Sequence, residues 1–477
     1  MYTVKQITLQ MIILISLSTC ALGQGTWKSV SAGDGFSVAL HSDGTLWSWG
    51  VNNHAQLGIG TAAMNGAEAS RNIPVQVLTP YHDWVAIDCG GAYTLALRSN
   101  GTIWGWGRKK LQTIGTHILV YTPEQIGIDS NFVSISAGYD FWGAIKTDGT
   151  LWTWGKNGAL LGRNDTTQWV PLPTQVGTDT TWDQISLGTC HSLGLKDNGK
   201  LFFWGLISWG FNYGDIQYNP IQIGTNTYSS ISAGNGISAA IKTNGTLWVW
   251  GFNYSGQLGF GDTDDRLAPT KIGTDSDWSK IYAGSSYFIG IKNDHRLWAW
   301  GYNGDGQMGN GTLDNITYPT LVSLDNTKYE QVAIPSGPCL PEGGSLPFGY
   351  HTLCITENKL NICSAGANYW GYLGTGYYDN LAYFDCDVFS LLSVVESNQV
   401  PLSIEPNPSD GIFHIHTENE AHIHIILLDQ QGKYITQFEL NELSSNNSFD
   451  LSNQGPGVYF AHISQGENQW VKKLVVR

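Results

Sequence analysis

Residues 44–50 read GTLWSWG, and the phrase returns as GTIWGWG at 101–107, GTLWTWG at 149–155 and GTLWVWG at 245–251. Residues two apart on a strand share one face. Trp47 and Trp49 therefore project together, as do Trp104 and Trp106, Trp152 and Trp154, Trp248 and Trp250, and Trp298 and Trp300, while Trp204 keeps only the second indole. The closing glycines fall at Gly50, Gly107, Gly155, Gly205, Gly251 and Gly301, 46 to 57 residues apart, and a degenerate seventh copy ends at Gly366. That period is the length of a propeller blade.

Each unit carries three further strand-like pieces. One opens with proline, as in PVQV at 74, PEQI at 123 and PTKI at 269. One opens with an aromatic residue, as in WKSV at 27, WVAI at 84 and WSKI at 278. One is a small apolar run, such as SVAL at 37 or SAAI at 238, joined to the tryptophan strand by SDG, SNG, TDG, DNG or TNG. Asp-Gly and Asn-Gly at that place favour the backbone twist of a β-hairpin. Four short strands per unit predict an all-β, seven-bladed β-propeller, with the paired indoles filling the widening gap between radial sheets. Proline cannot donate to a ladder, so the Pro-led strand suits the outer edge of its blade. Seven aromatic-led strands stand against six Pro-led ones, which predicts that CDVFSLL at 386–392 pairs into the first blade and locks the ring.

The chain has 477 residues, 58 glycines and 20 tryptophans, with 13% charged residues and a formal net charge of −15. Such a composition belongs to neither a helical bundle nor a disordered tail. An acidic surface repels phosphate backbones, so no nucleic-acid partner is expected. Residues 1–23 read as a secretory signal, with Lys5, an apolar run over Leu9–Leu17 and Ala21-Leu22-Gly23 at the cleavage point. A lipidated Cys20 is the rival reading. The run is too short to span a bilayer, and no transmembrane segment is expected elsewhere.

The order S-x-A-L-x-x-D-G-T-L-W-x-W-G, followed by loops such as FNYSGQLGFGD at 252–262, YNGDGQMGNGT at 302–312 and VNNHAQLGIGT at 51–61, resembles the regulator of chromosome condensation repeat family. The resemblance covers about residues 25–395 and implies the seven-bladed propeller. The family's nucleotide-exchange activity is not carried over, because no repeat presents an insertion that matches the loops it depends on. Exported bacterial members that bind and inhibit enzymes make a secreted enzyme inhibitor one alternative, by analogy of fold and compartment.

Repeat seven, HTLCITENKLNICSAGANYWGYLGTG from 351, lacks both tryptophans. Some members of the resembled family carry a cysteine on each of the third and fourth strands, and facing positions of a hairpin come within disulfide range. The expected pairs are Cys354–Cys363 and Cys339–Cys386, the alternative being four buried thiols. Cys89 and Cys190 are expected as small core residues.

After Val400 the pattern changes. Alternating strands over 402–477 predict a small β-sandwich behind a linker at 397–401, so the propeller domain is placed at 24–396. EPNPSDG, LLDQQGK, GPGVYF and the terminal KKLVV resemble the C-terminal sorting domain of the type IX secretion system of Bacteroidota. That implies engagement of the outer-membrane secretion machinery through residues 402–477, export across both membranes of a Gram-negative bacterium, and a secreted or surface-held product.

No residues stand out as catalytic, cofactor-binding or metal-binding, and no cofactor is expected. His414, His416, His422 and His424 alternate along strands without a completing ligand and read as solvent-facing. His191 and His351 occupy a blade position held elsewhere by Phe36 or Tyr93 and read as hydrogen-bonding structural groups. DTDDR at 262–266 lacks the glycine and spacing of a calcium loop. There is no G-x-S-x-G, H-E-x-x-H or P-loop motif. The expected function is an exported, monomeric propeller binding an extracellular protein or glycan through its blade loops, and the chain is read as a binder before an enzyme. The alternative is a polysaccharide lyase or hydrolase with carboxylates at the central channel.

Overall fold

The computed structural model describes residues 25–62, 70–110, 117–164, 167–206, 216–323, 327–337, 350–386 and 388, and, in the second unit, 402–405, 409, 411–417, 423–429, 434–440, 448–455, 457–465 and 468–476. The chain divides into two compact units, one spanning Gly25–Leu391 and the other containing Leu392–Arg477.

The first unit is the propeller. Its blades are, in chain order, β1 (Trp27–Gly33), β2 (Phe36–His41), β3 (Leu46–Gly50) and β4 (Arg71–Gln76); β5 (Trp84–Cys89), β6 (Tyr93–Arg98), β7 (Ile103–Lys110) and β8 (His117–Gln125); β9 (Phe132–Ala137), β10 (Phe141–Lys146), β11 (Leu151–Lys156) and β12 (Trp169–Gln175). The fourth blade holds β13 (Trp182–Leu187), β14 (His191–Lys196), β15 (Lys200–Leu206) and the start of β16 (Ile216–Ala233). That last strand, 18 residues long, runs on to become the first strand of blade five, ahead of β17 (Ile237–Lys242), β18 (Leu247–Gly251) and β19 (Arg266–Lys271), so two blades share one seven-stranded sheet. Blade six is β20 (Trp278–Ala283), β21 (Tyr287–Lys292), β22 (Leu297–Gly301) and β23 (Ile316–Leu321). Blade seven is β24 (Tyr329–Ala333), β25 (His351–Thr356), β26 (Ile362–Gly366) and β27 (Leu381–Asp385).

The outer strand that 386–392 was expected to supply is already present in blade one. Each Pro-led strand follows the tryptophan strand of its own unit, so β4, with Pro74, completes blade one from contiguous sequence. The seventh outer strand is LAYFD, which carries no proline and so escaped the count. Of 386–392 only Cys386 and Val388 are described, and neither lies in a strand. Blades one and seven meet by side-chain and backbone contacts instead. Ser37 Oγ lies 3.0 Å from His351 Nε2 and donates to the Tyr372 carbonyl at 2.9 Å, Trp49 Nε1 donates to the same carbonyl at 2.8 Å, and Gln331 brackets the Val30 peptide through both ends of its carboxamide.

The paired indoles divide the work. The second of each pair is buried outright, with Trp49, Trp106, Trp204, Trp250 and Trp300 at 0% exposure and Trp154 at 2%. Trp106 Nε1 donates to Gln56 O of the preceding blade, and Trp204 Nε1 to Leu160 O, so these rings bind blade to blade as well as filling the gap. The first indole lies nearer the hairpin. Trp47, Trp104, Trp152 and Trp248 donate to the threonine two residues back, whose hydroxyl donates to the Asp or Asn of the turn. The recurrent D/N-G-T-x-W is therefore one hydrogen-bonded unit. Its glycine sits at positive φ, +83° at Gly44, where a Cβ would strike the His82 carbonyl.

The innermost strands line a central cavity of about 210 Å³. Around it, in the first five blades, one side-chain oxygen accepts a backbone N–H of the next blade: Ser31 from Cys89, Asp88 from Ala137, Ser136 from Leu187, Ser186 from Ala233 and Ser232 from Ala283, at 2.7–3.0 Å.

The cysteine pairing also differs from expectation. Cys354 and Cys363 are register partners across β25 and β26, yet Cys363 is bonded to Cys386 and Cys354 is a buried free thiol. Directly opposed strand residues hold their Cβ atoms about 4.5–5.5 Å apart, wider than a disulfide prefers. Cys363 occupies the place of the first tryptophan of a blade, and its bridge to the end of β27 ties the outer strand down where no indole can. Cys190 is not a simple core residue but disulfide-bonded, with its partner outside the described residues. Cys339 also lies outside them. Cys89 is a buried free thiol.

The second unit is a β-sandwich. One sheet contains β28 (Leu402–Glu405), β29 (Ile412–Thr417) and β32 (Ser448–Asp450), and the other β30 (Ile423–Asp429), β31 (Tyr434–Leu440), β33 (Gly457–Gln465) and β34 (Asn468–Val476). Alternating apolar residues from both sheets, among them Phe413, Ile415, Ile425, Leu427, Phe449 and Leu474, form one core. His414 is exposed, and the side chains of His416, His422 and His424 lie outside the described set.

Candidate binding face

An antiparallel blade places its first turn and its third-to-fourth loop on the same side of the ring. This loop face is built on a buried asparagine two residues after the closing glycine. Asn52, Asn253, Asn303 and Asn368 are each fully buried. Each accepts the N–H of the residue five further on, at 2.8–3.1 Å, and donates to a carbonyl nine further on, at 2.7–3.0 Å. Four loops thus share one rigid frame.

Aromatic and acidic groups stand on that frame. Tyr139 Oη donates to Asp34 Oδ2 at 3.3 Å, and Tyr369 Oη to Asp305 Oδ1 at 3.4 Å. The Tyr302 and Tyr350 rings lie 5.3 Å apart, and the Tyr254 and Ser286 hydroxyls 2.7 Å apart. Tyr254, Tyr369 and Trp370 are exposed. Burial pushes the Asp305 carboxyl above its usual range, against hydrogen bonds from Tyr369 and Tyr302. Burial raises Tyr139 and Tyr372 as well, with the Asp34 charge adding to both, so these hydroxyls remain neutral donors. At one edge Arg108 lies 3.4 Å from Asp140. There burial, with Arg108 and His117 nearby, lowers the His54 pKa to about 4.

Such a surface can bury flat aromatic rings against a partner and offer hydroxyl donors beside carboxylate acceptors. Sequence reading located binding in the loops without naming these tyrosines. Their signal was present, since Tyr302, Tyr254 and Tyr369 follow the closing glycine within three residues. His191 and His351 are structural: each is buried, with Nε2 at 2.8 Å from Ser238 Oγ and 3.0 Å from Ser37 Oγ of the next blade. DTDDR folds back on the loop frame, where Asp265 accepts the Asn253 N–H and Asp262 pairs with Arg266. Asp88, in the central cavity, has both carboxylate oxygens engaged by Ser31, Cys89 N–H and Ala137 N–H, and burial raises its pKa to about 6.

A ring of seven four-stranded blades with a framed loop face defines a propeller whose working surface is its loops. The chain belongs to the RCC1-like domain family, which matches residues 15–287, and RCC1 repeats match 278–307 and 294–336. Residues 403–477 match the secretion system C-terminal sorting domain, which marks the chain for secretion or the cell surface. The chain is 32% identical over 94 residues to the human probable E3 ubiquitin-protein ligase HERC3, covering 20% of this chain and 9% of that protein. It is 36% identical over 89 residues to the Arabidopsis thaliana ultraviolet-B receptor UVR8, covering 18% and 19%. The chain thus spans under a fifth of the length of these relatives. Among solved structures, yeast RCC1 (Prp20), in a crystal with Kap60, superposes with a TM-score of 0.58 at 20% identity, covering 66% of this chain and 81% of that one. Human WBSCR16 gives 0.57 at 20% identity, covering 65% and 84%. These structures share the fold.

Proposed function

We propose that the protein is an exported, monomeric binding module whose loop face recognises an extracellular protein or glycan. Residues 402–477 engage the outer-membrane secretion machinery and carry the propeller across both membranes of a Gram-negative cell. The observation behind this reading is the row of tyrosines and paired carboxylates: Asp305 with Tyr302 and Tyr369 on loops fixed by buried asparagines, and Asp34 with Tyr139 on the adjoining first turns. Rigid aromatic anchors lose little entropy on binding and dominate interface energy. The test is capture from secreted proteins and on a glycan array, comparing the exported chain with a Tyr254→Ala/Tyr369→Ala variant. A partner retained by the first and lost by the second, without turnover, supports the reading. Equal capture by both, or cleavage of the captured material, overturns it.

A further inference from the structure

A second concavity lies on the flank of the ring, between blades three and four. It is an open concavity of about 520 Å³, within the range of small-molecule sites. Gln175 at the end of β12 and Val176 just after it form one wall, Phe202 and Trp182 the floor, Asn219 and Pro220 of β16 the other wall, and Arg163 of the blade-three loop borders it. At one end Lys196 is ion-paired with Asp179, and its ammonium stands 4.5 Å from the Phe202 ring centre. Asp179 also accepts the Thr181 hydroxyl at 2.6 Å, and these two partners hold its pKa at about 2. The pair is therefore fixed and mutually compensated across the physiological range.

The repeat supplies an internal control. In blade four Phe202 pairs with Gln222 and Gly205 with Gln217, while in blade six Trp298 pairs with Leu321 and Gly301 with Ile316. Asn219 is thus the register equivalent of Tyr318. In blade six the Tyr318 hydroxyl lies tight against Gly261 of the preceding blade's loop, where even a methyl group would collide with it. For blade four the loop position of Gly261 is held by Asn164, whose N–H bonds the Tyr218 carbonyl as that of Gly261 bonds the Thr317 carbonyl, so a tyrosine would collide there and the shorter Asn219 stands in its place, lining the cavity with a carboxamide.

We infer that this flank cavity is a saccharide site that takes a single pyranose unit of a glycan, its carbon face on Phe202 and Trp182 and its hydroxyls on Gln175, Asn219 and the Lys196–Asp179 pair. Planar carboxamides and a fixed ion pair match vicinal hydroxyls, which donate and accept side by side. The aromatic floor of Phe202 and Trp182 favours a ring with a non-polar face. The cavity borrows Gly162 and Arg163 from the third-to-fourth loop of blade three but none of the loop-face tyrosines, so either can fail alone.

The test is saturation-transfer NMR of the full exported chain with glucose, galactose, mannose, N-acetylglucosamine and glucuronate, each as its methyl glycoside. A ligand of this size binds with a Kd of about 1 mM. The expected result is binding of one or more of these sugars that the double variant Gln175→Ala/Asn219→Ala weakens at least about tenfold, and each single variant several-fold. These variants should keep the wild-type melting temperature, because Asn219 is exposed and Gln175 half-buried, both on outer strands. Tyr254→Ala/Tyr369→Ala should bind the sugar as the wild type does. Absence of binding by every sugar, or binding that survives Gln175→Ala/Asn219→Ala, overturns the inference. Loss in the loop-face variant alone would place the sugar on the loop face and overturn it equally.

Discussion

Asp88 Oδ2 accepts the backbone N–H of Ala137 at 2.7 Å, across the boundary between the second and third blades, in a ring where the other blades that make this bond use serine. Burial lifts its folded pKa to about 6 from 3.8. The folded state then binds the proton more tightly than the unfolded chain. Its contribution is fully present below about pH 4 and is lost as pH rises through 6. Replacing Asp88 with Ser should remove that slope and stabilise the propeller at pH 8, by on the order of 2 kcal/mol. Calorimetric melting at pH 5 and pH 8 checks this, and parallel shifts in both proteins would refute it.

His191 acts with the opposite sign. Burial lowers its pKa to about 4 from 6.5, so it folds neutral and charges on unfolding. Stability should fall as pH drops from 6.5 through 4. His191→Phe, the residue type that blade one carries as Phe36, should flatten this acid limb. It should also cost about 1 kcal/mol at pH 7, because Ser238 Oγ loses a partner. Urea titrations at pH 4.5 and 7 separate the two effects.

Trp106 tests the role of the second indole. Its ring is fully buried, and its Nε1–H donates to Gln56 O at 2.9 Å. Trp106→Ala should cost about 3–5 kcal/mol, and Trp106→Phe about 1–2 kcal/mol, the hydrogen bond plus a small void. A phenylalanine variant as unstable as the alanine one would mean that the bond, rather than the packing, joins the blades.

The bridge between Cys363 and Cys386 closes 23 residues of chain. Chain-entropy arguments give it about 3 kcal/mol. Cys386→Ser should lower stability by that amount in oxidising buffer and by nothing in dithiothreitol. Peptide mapping should recover 363 joined to 386, and Cys354 should alkylate only on unfolding.

Most of the fold was legible because each blade repeats the same local chemistry: a turn that demands glycine at Gly44, a threonine beneath it, and indoles two apart at Trp47 and Trp49. What escaped was phase and pairing. Pro74 opens a strand that looks equally like the end of one unit or the start of the next, and only the sheet register places it after Trp49. Cys354 and Cys363 oppose one another in sequence register, but the bonding partner of Cys363 comes from beyond β27, a three-dimensional proximity that spacing does not encode. The tyrosines of the loop face were visible yet unranked, because a residue after a turn carries no periodicity to mark which side it faces. Asp88 looked like a scattered carboxylate until the serines in the same place on other strands gave it a position.

Because five of the six chain connections between successive blades leave each sheet built from contiguous chain, those connections are severable seams. New chain ends could be opened there, with the old ones bridged by a linker, while every ladder stays intact. The exception is β16, whose unbroken backbone carries blade four into blade five. A cut within it would split two sheets at once, so those two blades should yield to pulling or proteolysis as one piece.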